Sequence, residues 1–454
     1  MSKPICIIRA PITTRSGYGG MARDIVRHFI ESDRFEVLID SVPWGITPTT
    51  ALNYDDPLDK MLVDRIMMGI VPWNLPSDVH EAVRTRMKAY TPARPDVFVS
   101  ITVPHEFQPL GKYNIGITAG IETSVASLDW VAGCERMDTV WVISEHAKTV
   151  FEFSKYAQKD DNGNVLQEFK ITKPMEVLHN CINPKVIKKL PYEVDLDPDI
   201  RNLLKDIPED FNFLFVGHWL GGDLGQDRKN IAGLVSIFIL VFKRPTPFPK
   251  PGLILKVSQA DFSILDQRII LDNLEAIKRT IPLEDGEVFP NIYLIHGELT
   301  DVEMNSLYNH PKVKAHISLT RGEGFGRPLL EASISGKPVI ASGWSGHMDF
   351  LNPEDALLIG GELAPVHPSA VMDKMILKEA TWLNVDYNHA ATAMVSVIRE
   401  YPKYRKLAAK LGKENARKFS YDSIKARTIE LIDKYVRKTP VRRTIILPAL
   451  KPGE

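Results

Sequence analysis

The sequence predicts two α/β domains, each built on a parallel sheet, and three observations predict it. Short β-rich runs alternate with helix-like stretches in both halves of the chain. The 454 residues are about three times the roughly 150 of an average domain. A stretch rich in Pro, Lys and Asp, residues 185–210, separates one run of alternation from the next.

In the first half the strand-like runs are Cys6–Ala10, Phe35–Ile39, Asp96–Ser100, Tyr113–Ile117, Thr139–Ile143 and Met175–His179. Each has the short, apolar character of a buried parallel strand. A turn-rich loop, Ser16-Gly17-Tyr18-Gly19-Gly20, follows the first, and Met21, Ile25, Val26, Phe29 and Ile30 then recur at helical spacing. Ser144 is placed to cap a helix through Phe151 and Phe153, and Asp160–Asn164 reads as the tip of an inserted hairpin.

In the second half the strands are Phe213–Gly217, Leu253–Val257, Ile292–Ile295, Ala315–Leu319 and Pro338–Ala341. The most apolar stretch, Ile231–Phe242, has twelve residues, too few for a bilayer that needs roughly 20, so it is expected to be a buried core helix. The last helical pattern is Tyr421–Val436. The expected division is 1–195 for an N-terminal domain and 196–424 for a C-terminal one, with 425–454 packing back on the first.

Lys plus Arg number 56 against 57 Asp plus Glu, a net charge of −1, which argues against a chain that coats nucleic acid or anionic membrane through its overall field. The three cysteines, Cys6, Cys134 and Cys181, form no CxxC pair or disulfide ladder, and the start, Met1-Ser2-Lys3-Pro4, does not read as a signal peptide. The expected setting is the cytoplasm, free or at the periphery of a membrane, with no integral membrane segment.

The chemistry concentrates in Thr320–Glu331. Three alternating glycines let the backbone approach a ligand closely, and Pro328 suits the first turn of a helix. The free amides of that turn form an anion site fit for phosphate. Glu323 and Glu331 flank it, and carboxylates accept from hydroxyls, so a sugar–diphosphate–ribose ligand fits. On spacing alone, a plain glycine-rich β–α turn with an incidental acidic pair fits equally.

Glu323-Gly324-Phe325-Gly326-Arg327-Pro328-Leu329-Leu330-Glu331 resembles the acidic motif of glycosyltransferase family 4 (glycosyl transferases group 1), which has the GT-B fold of two Rossmann-like domains facing a cleft. The likeness extends to Gly336–Ser342, Gly343–Gly346, Phe215-Val216-Gly217, Arg228-Lys229-Asn230, Val177–Asn180 and Val142–His146, in consistent order. The resemblance implies a retaining, metal-independent transferase that moves a hexose or pentose from a nucleotide sugar to an acceptor hydroxyl. It implies that Glu323 faces the donor sugar, that Glu331 holds the ribose, and that the amides of Gly324, Phe325 and Gly326 contact sugar or phosphate. Lys229 with Arg228 would neutralise the leaving diphosphate. The family often has Arg after the strand glycine Gly217, where this chain has His218, so either Arg228 takes that role or His218 makes a weaker, pH-sensitive contact.

Gly19 and Gly20 are expected at the cleft near the donor phosphates, Gly297 in the base pocket, and Glu122 as an acceptor-side carboxylate, with a surface helix-capping role for Glu122 as the alternative. No cofactor and no metal are expected, and His105 lacks a second ligand at helical spacing. Other readings are a non-catalytic nucleotide-sugar-binding module and a GT-B epimerase of the nucleotide sugar. The acceptor stays open among glycan, lipid-linked sugar, protein, small molecule and hydroxylated DNA base. Nucleic acid enters only as an acceptor met by a local patch, such as the basic tail Arg437, Lys438, Arg442, Arg443 and Lys451, for which a solvated C-terminus is the plainer reading.

Overall fold

The computed structural model describes residues 3–436 apart from 92, 220, 260 and 261, so the basic tail and Ile445–Leu447 lie outside the described residues. The chain begins with β1 (Ile5–Ala10), α1 (Gly17–Glu31), β2 (Glu36–Ser41), α2 (Pro57–Val63), β3 (Ile66–Gly69), α3 (Ser77–Ala89) and β4 (Val97–Ile101). It continues through β5 (Tyr113–Thr118), α4 (Leu128–Glu135), β6 (Thr139–Val142), α5 (Glu145–Phe153), β7 (Tyr156–Lys159), β8 (Val165–Phe169) and β9 (Met175–Val177). Then come α6 (Pro198–Leu203), β10 (Asn212–His218), α7 (Ile231–Phe242), β11 (Gly252–Ser258), α8 (Ile264–Thr280), β12 (Ile292–Ile295) and α9 (Asp301–Asn309). β13 (Val313–Ser318), α10 (Arg327–Ile334), β14 (Val339–Ser342) and β15 (Leu357–Ile359) follow. The last elements are β16 (Gly361–Pro365), β17 (Thr381–Val385), α11 (Tyr387–Arg399), α12 (Tyr401–Lys418) and α13 (Tyr421–Tyr435).

Two parallel sheets organise these elements, in the orders β3-β2-β1-β4-β5-β6-β9 and β12-β11-β10-β13-β14-β15. Strands such as β4 and β11 are buried along their whole length, which is why they read as continuous apolar runs rather than alternating ones. In each sheet the chain reverses direction beside its first strand, between β1 and β4 and between β10 and β13. The loops leaving those strands border the crevice where α/β sheets bind ligands. α7 is the expected core helix: Ile231, Leu234, Val235, Phe238, Ile239 and Phe242 are all fully buried, each contributing about 1.5–3 kcal/mol.

Ser144 caps α5 by accepting the Ala147 amide, and Asp160 to Asn164 form the tip of the β7–β8 hairpin. Other details differ from the sequence reading. α1 begins at Gly17 rather than after Gly20, because the Ser16 hydroxyl accepts the Gly19 amide and caps the helix there. The stretch read as a linker contains α6, capped by Asp197 with Pro198 in its first turn. The antiparallel pair β16–β17 went unpredicted because Gly-Glu-Leu-Ala-Pro is a poor and exposed strand sequence.

After α12 the chain returns to the first domain, where Ser420 forms an isolated parallel bridge with Ile182, beyond β9. α13 then lies along α1, with Thr428 Oγ1 3.0 Å from His28 Nδ1 and Lys425 Nζ 2.9 Å from Glu31. Phe419 at the crossing packs with Phe325, Phe350 and His179.

Candidate active site

Three loops meet in the cleft. In the β10–α7 loop, Asn230 takes a left-handed conformation (φ 54°), donates to the Leu319 carbonyl at 3.0 Å and accepts from Tyr387 Oη at 2.9 Å. That turn places Arg228 and Lys229 beside the β13–α10 loop. There the Glu323 amide donates to Ser345 Oγ at 2.8 Å, and Ser345 holds a positive φ of 82°, the kind of local strain that persists where its surroundings over-determine it. Gly326 (φ 89°) turns the chain into α10, and Pro328 occupies the first turn. The third loop leaves β5 in the other domain and carries Ala119 to Glu122.

Glu323 Oε1 lies 2.6 Å from Lys229 Nζ and Oε2 lies 3.4 Å from Arg228 Nη1, while Arg228 Nη2 lies 3.6 Å from Glu122 Oε1. Four charges thus join the two domains and sum to zero. Burial alone would raise the Glu323 carboxyl, yet Lys229 and Arg228 hold it down at about 2. Burial also works against Arg228, and Glu122 and Glu323 outweigh it, raising its pKa. Lys229 loses basicity to burial, with Glu323 pulling it back up. Glu122 is a quarter exposed and sits in the cleft, and the cap of α4 is Ser127.

The domains touch backbone to backbone here. A Cβ on Gly322 would collide with the Glu122 carbonyl oxygen, and one on Gly324 with that of Ala119. The amides of Gly324, Phe325 and Gly326 donate to no protein acceptor among the described residues. The Phe325 ring is buried against Phe350 and Phe419, so this residue offers the cleft its backbone.

Glu331 faces a second cluster, accepting from Arg327 Nε at 2.7 Å and from Tyr308 Oη at 3.2 Å. Arg327 also reaches Asp24 of α1 at 3.6 Å. Gly20 is what admits it: a Cβ there would lie 2.5 Å from Arg327 Nη1. Gly19 leaves room for the Thr14 carbonyl, so both glycines serve close packing at the cleft. Gly217 lies against the Phe215 ring. His218 Nδ1 is 3.0 Å from Ser258 Oγ, and burial, with Lys229 and Lys256 nearby, pushes its pKa to about 4. His218 is therefore neutral at pH 7, whereas Arg228 is charged. Gly297 (φ 130°) accepts from Lys256 Nζ at 2.7 Å through its carbonyl, next to the His296–Asp266 pair at 2.7 Å. His105 accepts the Trp130 indole N–H.

Sequence reasoning missed Arg321, Lys256 and the β16–β17 segment. Arg321 donates to Asn384 Oδ1 of β17 and, at 2.9 Å, to the Gly225 carbonyl, while its backbone bonds Arg228 and Leu383. It ties the Arg228–Lys229 loop, the Glu323 loop and β17 together. From β17, Thr381 exchanges hydrogen bonds with Ser124, two residues beyond Glu122. Adjacency to the glycine motif was the one available signal for Arg321. Asp197, Asp199 and Glu303 bring carboxylate oxygens within 4.8 Å of one another, but Asp197 and Glu303 already cap α6 and α9.

No protein-family model and no curated protein sequence matches the chain. Solved structures do. HepE of Anabaena in complex with UDP-glucose is 14% identical, with a TM-score of 0.57 over 95% of this chain and 100% of that one. The sucrose-phosphate synthase of Thermosynechococcus elongatus is 14% identical, with a TM-score of 0.57 over 95% and 98%. A UDP-forming trehalose-phosphate synthase of Burkholderia xenovorans is 12% identical, with a TM-score of 0.57 over 96% and 100%. With its two parallel sheets meeting at a cleft, the chain has the fold these proteins share, that of the GT-B glycosyltransferases.

Proposed function

We propose that this protein is a retaining, metal-independent glycosyltransferase that moves a sugar from a nucleotide sugar to an acceptor hydroxyl. The observation that carries the reading is the charge cluster spanning the cleft, Glu122–Arg228–Glu323–Lys229, beside the free amides of Gly324 to Gly326. The similar structures add support: one holds UDP-glucose and another is UDP-forming.

In this reading Glu323 accepts from donor sugar hydroxyls, and Glu331, whose oxygens each retain a lone pair beyond Arg327 and Tyr308, accepts from the ribose. The amides and Arg228–Lys229 stabilise the charge that grows on the diphosphate as the anomeric C–O bond breaks. The acceptor oxygen bonds to the anomeric carbon on the same face, and its proton passes to the departing phosphate oxygen. Glu122 orients the acceptor. These fixed cations do the work a divalent metal does elsewhere.

The test screens nucleotide sugars by thermal shift, then measures nucleoside diphosphate release with a mass-based acceptor search, with and without EDTA. Acceptor-dependent release insensitive to EDTA, giving a product of retained configuration, is expected. Binding without release would instead favour a non-catalytic module, and acceptor-independent isomerisation an epimerase.

A further inference from the structure

Arg228 and Lys229 are matched one for one by Glu323 and Glu122, and Arg327 is matched by Glu331 and Asp24. The cluster of Arg228, Lys229, Glu323 and Glu122 is therefore net neutral before any diphosphate binds.

Lys256 differs. It lies near the C-terminal end of β11, opposite Val216, and two residues on, Ser258 pairs with His218. These four side chains therefore share one face of the sheet, on the strand ends that border the cleft. Lys256 is 8% exposed. Among the described residues its ammonium has a single hydrogen bond, to the Gly297 carbonyl at 2.7 Å, and it lies 5.3 Å from the centre of the Phe262 ring. No carboxylate among the described residues lies within ion-pair distance of it. Glu298, the acid it senses electrostatically, is 3.3 Å from Arg15 of the other domain. Lys337 is equally buried, but its ammonium donates to the His310 carbonyl at the end of α9, where the helix supplies partial negative charge. Among the described residues Lys256 has no such helix end.

A buried ammonium with one neutral acceptor bears a desolvation cost that a bound anion relieves. We infer that Lys256 is a phosphate-binding residue of the nucleotide pocket, supplying a nucleoside diphosphate with positive charge in addition to that of the paired Arg228 and Lys229. The inference rests on the function proposed above, which assigned Lys256 no part.

The experiment is calorimetric titration of the full chain with UDP, GDP and ADP, with the matching nucleosides, and with inorganic pyrophosphate. Lys256→Met should weaken the best nucleoside diphosphate and pyrophosphate by about tenfold or more, the size of one charge-assisted contact, while leaving the nucleoside within about twofold. Lys256→Arg should recover most of the loss. Unchanged diphosphate affinity in Lys256→Met, or an equal loss for the nucleoside, overturns the inference, the second because it would mean Lys256 only shapes the Gly297 loop. Should Lys256→Met fail to fold, Lys256→Gln reads the same charge. A wild-type chain that binds none of the three diphosphates overturns the proposed function itself, an outcome distinct from any variant result.

Discussion

Glu323 and Lys229, 94 residues apart in sequence, meet at 2.6 Å in the cleft, and Arg228 closes the pair from the other side at 3.4 Å. Each of the three is close to nine-tenths buried or more at its side chain. Removing the carboxylate therefore leaves two buried cations facing one another.

Glu323→Gln preserves shape and removes charge, so it is expected to cut transfer by about 10²–10³ with secondary structure intact. Glu323→Ala should also lose stability, on the order of 3–5 kcal/mol, from uncompensated burial. Diphosphate release and thermal melts measure the two effects separately. Wild-type turnover in Glu323→Gln would sink the assignment of its role.

Gly322→Ala should drive the domains apart, because its Cβ meets the Glu122 carbonyl, which is backbone and cannot rotate away. Lost activity with unchanged circular dichroism and a larger radius of gyration in small-angle scattering is the expected outcome. Gly17→Ala, with nothing within 4 Å of its Cβ, is the control.

Arg321→Lys keeps the charge but loses the planar fork that reaches Asn384 and Gly225 together. Turnover should fall by about tenfold or more through displaced Arg228 and Glu323 loops, since small misplacements of catalytic groups are costly. Steady-state kinetics should show the loss in kcat more than in donor KM. An unchanged kcat would refute the positioning role.

Buried histidines set the acid limit. Burial lowers His28 to about 3 and His146 and His218 to about 4, from an ordinary 6.5. Below pH 6.5 the unfolded chain therefore binds protons that the folded chain refuses, and stability falls as pH drops toward 4. Well above 6.5, where the unfolded histidines have also lost their protons, these groups contribute no slope. The melting temperature should be level from about pH 7 to 8 and decline steadily below about 6, as scanning calorimetry can record. A flat profile down to about pH 4.5 would contradict it.

Much of the frame was legible because it is local. Ser144 and Pro328 act within one turn of their own position, and Glu323 and Glu331 lie on one loop and one helix. The fold class followed from apolar runs whose cause, burial on both faces, leaves a mark in each strand. What escaped were relationships between distant segments. Nothing near Gly20 in sequence announces that Arg327 fills the space above it, and nothing near Lys256 announces that its ammonium reaches the Gly297 carbonyl 41 residues away. The neutral state of His218 also depends on Lys229 and Lys256, neither of them its sequence neighbour. β16 was hidden for another reason: Gly361–Pro365 disfavours a strand, and pairing with β17, itself held by Ser124 and Arg321, overrides that preference.

The return of α13 to α1 bears on how the chain is made. The α1 face that carries His28 and Glu31 is completed by Thr428 and Lys425, about the last part of the described chain to be synthesised. Synthesis proceeds from the N-terminus, and domains generally fold as units as they emerge. The first sheet can form early, but its outer layer waits until the second domain has left the ribosome. Truncation before Tyr421 would thus injure the N-terminal of the two domains, far from the cut in sequence.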